Sequence, residues 1–205
     1  MVINVSKKFA NKLVSSIFEE IHKDNWFTTT YKYCIDSKYR KYVRLDRFLK
    51  EQIDNPSTEL LKIAEQFIGI ESDRAIIEIL KYVHNNIKYK RDIDNYGKDE
   101  YWATSLETFN KKFGDCDDIN GMIYVIARLS GIPSYLLYCA IGDVKSGGHF
   151  WTMYLSTTTD KLYTIDGTYY YSNDWIEYRT TFKFSEDRYK SIWYLFNSEG
   201  IWKYK

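Results

Sequence analysis

From Ser6 the apolar residues Phe9, Leu13, Ile17 and Ile21 step by four, with Phe18 beside them. This spacing lays one apolar stripe along an amphipathic helix running to about Asn25. Between Trp26 and Asp46 Tyr, Lys and Arg alternate without a clear period, so a loop carrying a short strand is expected, and Leu45, Phe48 and Leu49 then suggest a helical turn. Helical spacing returns at Leu60, Leu61, Ala64 and Phe67, preceded by Asn55-Pro56 as cap and first-turn proline and closed by Gly69. Ser72 caps the next helix, whose buried stripe is Ile76, Leu80, Val83 and Ile87, and the two form a predicted helical hairpin. Thr104-Ser105-Leu106-Glu107 is a capping box for a short helix that stops at Gly114. Ile119, Met122, Ile123, Ile126 and Ser130 then recur at three- and four-residue spacing until Gly131 and Pro133, which predicts a helix with Cys116 in its first turn.

Beyond Pro133 the period changes to two. Tyr135, Leu137, Cys139 and Ile141 alternate with Ser134, Leu136, Tyr138 and Ala140, a strand buried on both faces. Gly142 to Gly148 reads as a flexible loop, His149 to Leu155 as a second strand, Thr157 to Asp160 as a turn and Lys161 to Asp166 as a third strand, together an antiparallel meander. Ser191 to Asn197 and Ile201 to Lys205, separated by Ser198-Glu199-Gly200, predict a hairpin that adds edge strands or a covering flap. Helices first and sheet afterwards is an α+β pattern.

A length of 205 residues accommodates one domain with an extension. The net charge of +1 offers no basic field for nucleic acid. Tyr31, Lys32, Tyr33, Lys38, Tyr39, Arg40, Lys41 and Tyr42 could stack on bases, but Asp36 and Asp46 dilute the charge and a solvated face is the favoured reading. Three cysteines, Cys34, Cys116 and Cys139, are odd in number and widely spaced, which argues against a disulfide framework and for a reducing, cytoplasmic compartment. No secretory signal and no run of membrane-span length is present, so a soluble protein without membrane partners is expected. The bias towards Lys, Asn, Ile and Tyr is what an AT-rich genome encodes and suggests a bacterium or a phage.

The candidate chemistry sits at Cys116. Unpaired N–H groups and the helix dipole at a first turn favour a thiolate, the form that attacks carbonyl carbon. Asp115, Asp117 and Asp118 oppose this unless they cap the helix, which Asp115 as N-cap and Asp118 at the third helical position would do. A lone cysteine is more often a buried core residue, so partners decide. His22 and His84 lie on helix faces, whereas His149 follows Gly147-Gly148 and opens a strand, where a general base can be aimed at a facing helix. Asp166 ends the third strand, and pairing across the Thr157 to Asp160 turn sets it roughly opposite His149.

Gly114-Asp115-Cys116-Asp117-Asp118, Gly131-Ile132-Pro133, Gly148-His149-Phe150-Trp151 and Ile165-Asp166-Gly167-Thr168 resemble the transglutaminase-like branch of the papain-fold cysteine enzymes. The resemblance runs from roughly residue 75 to 175 and takes in the helix from Ser72 and Tyr101-Trp102. It implies a papain-like α+β core over residues 55–205, with the cysteine at the N-terminus of a central helix packed on an antiparallel sheet, behind an N-terminal helical extension over 1–54. It also implies acyl transfer at the amide bond of a protein or peptide through a thioester. Cys116 attacks, His149 protonates the leaving amine and Asp166 orients His149; water as acceptor makes a peptidase or amidase, an amine a transglutaminase. The oxyanion would be held by the Cys116 N–H and a second donor, for which the Trp102 indole is the candidate, the alternative being that Trp102 covers the thiol. Asn120 and Gly121 depart from the small or alanine residue common at this point of the family. The zinc-binding cysteine pair of the glycoprotein-deglycosylating relatives is absent and no calcium loop is spelled out, so no metal or other cofactor is expected. The alternative is a non-catalytic component, for example of a phage virion, that keeps the fold and assembles through Tyr169-Tyr170-Tyr171 and Trp175. A Cys/His/Asp metal hydrolase is the weakest reading, since no HxxxH pair is present.

Overall fold

A computed structural model describes residues 26–28, 33–34, 42–169 and 189–204. The predicted N-terminal helix with His22, and the segment Tyr170, Tyr171 and Trp175, lie outside the described residues.

Among the described residues six α-helices come before the central strands: α1 Leu45–Asp54, α2 Thr58–Glu65, α3 Ser72–Asn86, α4 Asp92–Tyr96, α5 Ser105–Lys111 and α6 Cys116–Leu129. The expected turn at Leu45 is a full helix, because Leu45, Phe48 and Leu49 all bury one face of it. Its length shifts the next start: Asn55 closes α1, its N–H on Glu51 O, and Ser57 caps α2 by accepting from Leu60 N at 3.2 Å. The predicted capping box holds, with Glu107 N donating to Thr104 Oγ1 at 3.3 Å and Thr104 N to Glu107 Oε2 at 2.8 Å. Helix α6 is buried from Asp117 to Ala127, with α1, α2, α3 and α5 against it on one side and strand β7 on the other.

The strands are β1 Trp26–Thr28, β2 Tyr33–Cys34, β3 Tyr42–Val43, β4 Lys88–Tyr89, β5 Phe113–Gly114, β6 Leu137–Val144, β7 Gly147–Leu155, β8 Leu162–Ile165, β9 Tyr189–Asn197 and β10 Gly200–Tyr204. Six of them form one antiparallel sheet in the order β1-β10-β9-β6-β7-β8. The C-terminal hairpin is therefore not an edge or a flap: β9 lies inside the sheet, paired with β6 on one side and β10 on the other. Both faces of the sheet are covered. Leu137, Cys139 and Ile141 belong to the core shared with the helices, and Tyr138, Ala140, Val144, Trp151 and Met153 to a second core on the opposite face. The expected loop over residues 142–148 is a tight turn, since β6 and β7 stay paired to Val144 and Gly147 and only Lys145-Ser146 connects them. His149 is accordingly the third residue of β7 and sits within the paired ladder, opposite Gly142.

Candidate active site

The register of β7 and β8 pairs Thr152 with Ile165 and Met153 with Thr164. Continuing it sets Asp166 across from Trp151, so His149 is diagonal to Asp166 and not opposite it as the turn count predicted. His149 and Trp151 share a face of β7, and the diagonal is short enough for His149 Nε2 to meet Asp166 Oδ2 at 2.7 Å. Both side chains are buried. Three more donors reach the carboxylate: Tyr189 Oη on Oδ2 at 2.7 Å, Thr168 N on Oδ1 at 2.9 Å and Asn120 Nδ2 on Oδ1 at 3.2 Å. Burial alone would raise the Asp166 carboxyl, but the bond and charge of His149, the Tyr189 hydroxyl and the Thr168 N–H together hold it below its ordinary value. With Nε2 taken, Nδ1 is the imidazole nitrogen left for proton exchange.

Cys116 begins α6 and lines a cavity of about 390 Å³ together with Trp102, Asp115, His149, Phe150 and Trp193. Cys116, His149 and Trp102 thus meet at one opening, with Asp166 behind His149. Cys116 is half-buried as a residue, and the protein packed around its sulfur pushes the thiol well above its ordinary value. Asp115 adds to this, and the Phe150 N–H pulls the other way. Position at a helix N-terminus predicted a thiolate; burial and the neighbouring carboxylate outweigh it. The indole N–H of Trp102 donates to Glu100 Oε1 at 2.6 Å while its ring lies edge-on to Phe48 and Phe150, so Trp102 walls the cavity with its proton engaged.

The capping expected of the carboxylates is loose: the Asp117 and Asp118 N–H groups pull the Asp115 carboxyl down and the Asp115 N–H does the same for Asp118, without a full cap bond. Asp115 is the N-cap by position but makes no side-chain cap bond, and Asp118 Oδ1 turns away to accept from Ala103 N at 2.7 Å. Asp92, on α4, does the same for the neighbouring segment, its Oδ2 accepting from Tyr101 N at 2.5 Å. Oδ1 of Asp92, Oδ1 of Asp115 and Oδ2 of Asp118 are buried with no hydrogen-bond partner, and one carboxylate oxygen from each of the three residues lies within 4.8 Å of the others. Burial raises all of these carboxyls, Asp92 to about 7, and Asp115 raises Asp92 and Asp118 further.

A family profile described as the transglutaminase-like superfamily matches residues 62–178, more than half of the chain. The chain belongs to the transglutaminase-like superfamily. The matched span takes in Trp102, Cys116, His149 and Asp166 and stops short of Tyr189. No curated protein matches the chain. Among solved structures, LapG of Legionella pneumophila is similar over 77% of this chain and 87% of its own, with 16% identity and a TM-score of 0.55. A calcium-bound form of the same protein gives 0.56 over the same shares and at the same identity. A structure described as a TGase gives 0.42 at 15% identity, over 88% of this chain and 43% of its own. At such identities the LapG likeness concerns the fold, and with the family match it makes this transglutaminase-like chain papain-like in architecture, with a helix that starts at the cysteine packed on an antiparallel sheet. No helix among the described residues is long and apolar enough to cross a membrane.

Three residues at or around the site carry more than the sequence reading gave them. Asn120 read only as a departure in an apolar helix, and Asp92 and Tyr189 not at all. A fully buried amide within an apolar-periodic stretch is the one signal that was present, since a buried amide requires partners.

Proposed function

We propose that the chain is a cysteine-dependent acyl-transfer enzyme acting on amide bonds of a protein or peptide, with Cys116 as nucleophile, His149 as acid and base and Asp166 as the group that orients His149. The observation that carries this is the buried 2.7 Å bond between His149 and Asp166, behind a cavity that also opens on Cys116. With burial pushing the thiol upward, the cycle begins with transfer of the S–H proton to His149 Nδ1 as the sulfur attacks the carbonyl carbon. The oxyanion forms at the N-terminus of α6, where backbone N–H groups lack helical acceptors. His149 then gives its proton to the leaving amine as the C–N bond breaks and the thioester remains. An entering water or amine loses a proton to His149, attacks the thioester, and the thiol leaves and recovers that proton. Asp166, kept ionised by its donors, stabilises the imidazolium at each step.

Alkylation of Cys116 by iodoacetamide, followed by peptide mass spectrometry, tests the pairing without a known substrate. Cys116 is expected to label faster than buried Cys139 near pH 7, and His149→Ala to slow it by about tenfold or more. Labelling indifferent to His149 would favour the non-catalytic assembly component instead. Amine incorporation into a general protein substrate against release of new N-termini then separates transamidation from hydrolysis.

The acidic cluster supports a second element. We infer that Asp92, Asp115 and Asp118 hold a divalent cation, calcium being favoured by the calcium-bound form of LapG. Their unpartnered buried oxygens are hard ligands of the kind calcium takes, and with six to eight oxygens required the rest would come from water or main chain. Such an ion would supply positive charge among carboxylates that otherwise repel one another. Calorimetric titration of EGTA-treated protein with calcium is expected to give a saturable heat and a higher Tm, both lost in Asp118→Asn; a flat titration leaves the cofactor-free expectation in place.

A further inference from the structure

Asn120 lies one helical turn after Cys116 and is wholly buried. Gly167 N donates to its Oδ1 at 2.9 Å, which fixes the orientation of the amide, because a backbone N–H needs an oxygen there. Nδ2 then points into a group of oxygens: Cys116 O and Phe150 O at 3.0 Å each, Asp166 Oδ1 and Thr168 Oγ1 at 3.2 Å each. One side chain therefore touches the first residue of α6, the residue that follows His149, and the carboxylate that binds His149. A second contact braces the same helix residue, since Thr152 Oγ1 donates to the Asn120 carbonyl at 2.9 Å.

The approach of the chain after β8 to α6 is itself set by the sequence. A Cβ on Gly167 would stand 2.6 Å from Ile119 Cγ2 and 2.8 Å from Ile123 Cδ1, so only glycine lets this segment come close enough for its N–H to reach Asn120. The amide and the glycine form a matched pair across the interface between the cysteine helix and the segment that follows β8.

We propose that Asn120 is a positioning residue that sets the separation between Cys116 on α6 and the His149–Asp166 pair on the sheet. The inference rests on the triad reading above. Without the amide, Phe150 O and Gly167 N lose their link to α6, and the directed contacts left between the two halves are the Thr152 bond to the residue-120 carbonyl and the Phe150 N–H at the Cys116 sulfur, neither of which reaches Asp166; the rest is apolar packing, which is non-directional and tolerates sliding. The chemistry needs the sulfur and Nδ1 within hydrogen-bond reach, so loss of this link uncouples them.

A merely structural role would lower stability and leave the coupling intact, so the test measures the coupling. Cys116 alkylation rates at one pH near neutrality are compared in the full chain for wild type, His149→Ala, Asn120→Ala and the double variant. His149→Ala is expected to slow the wild-type rate by about tenfold or more and the Asn120→Ala rate by less than about threefold. Thr152→Val, which removes the bracing bond but no contact to the His149–Asp166 pair, is expected to lower Tm while keeping the full His149 effect. Should Asn120→Ala be unfolded by circular dichroism, Asn120→Leu, closer in volume, replaces it in the same cycle. An equal His149 effect with and without Asn120 overturns the inference alone. No His149 effect in the wild type overturns the triad reading and the inference with it.

Discussion

On the sheet side of the cavity both oxygens of Asp166 are filled, Oδ2 by His149 and Tyr189 and Oδ1 by Thr168 and Asn120. On the helix side Asp92, Asp115, Asp117 and Asp118 are each left with one buried oxygen that nothing donates to. Burial is comparable for Asp166, Asp92 and Asp118, at 5%, 3% and 1% exposure, yet Asp166 is held below its ordinary value and the others stand above theirs. The difference is the number of donors. Desolvation always disfavours a carboxylate, and only several directed hydrogen bonds or an opposite charge reverse it. One side of the site is therefore preorganised, whereas the other has charge still to be met.

The two sides should answer to pH with opposite signs, and this is the largest effect expected. Asp92 is raised from 3.8 to about 7, so in calcium-free protein it contributes stability that is whole below the unfolded value and is lost as pH climbs through about 7, on the order of 4 kcal/mol. Asp166, lowered in the fold, contributes stability above 3.8 that is lost as pH falls through its folded value. Urea unfolding in EGTA at pH 5 and pH 8 reads the helix-side acids: wild type should weaken between the two, and Asp92→Asn should remove the share that Asp92 carries while Asp115, Asp117 and Asp118 keep theirs. A loss of the same size in Asp92→Asn would mean that Asp92 is not among the acids that strain the helix side.

Next in size is Tyr189→Phe. The ring stays packed on Trp151, with centroids 4.9 Å apart, and only the hydroxyl on Asp166 is removed. A hydrogen bond to a charged group is worth about 1.5–3 kcal/mol, and urea unfolding at neutral pH should show a loss in that range. A neutral result would mean that Asp166 is satisfied by fewer donors than the comparison requires.

What was legible in the sequence was local. The cysteine helix followed from apolar spacing at Ile119, Met122, Ile123 and Ile126, the α5 start from Thr104 and Glu107, and the meander from the change of period at Pro133. What was not legible depends on partners far along the chain. Asn120 meets Asp166 and Tyr189 meets Asp166 across 46 and 23 positions, and a polar residue does not announce such a partner. The place of β9 inside the sheet is likewise a pairing with β6 that no local period encodes. The upward pull on the thiol was hidden for the same reason, because the helix end that favours a thiolate is a local feature whereas the burial that opposes it is a tertiary one.

His84→Ala supplies the smallest effect and the sharpest control. His84 is half-buried on α3, and its Nδ1 stands 3.5 Å from the carbonyl of Gly167, directly after Asp166, at the outer limit of a hydrogen bond. It is thus the second histidine near the site, and proximity alone would give it a share in the chemistry. Its side chain reaches a main-chain oxygen and does not line the cavity with Cys116, whereas His149 binds the ionised carboxylate and does. Removing it should cost no more than about 1 kcal/mol in urea unfolding and leave the Cys116 alkylation rate unchanged. If His84→Ala slowed alkylation as much as His149→Ala, the order on the sheet side would not depend on the His149–Asp166 bond, and the contrast between the filled and unfilled carboxylates would lose its bearing on the thiol.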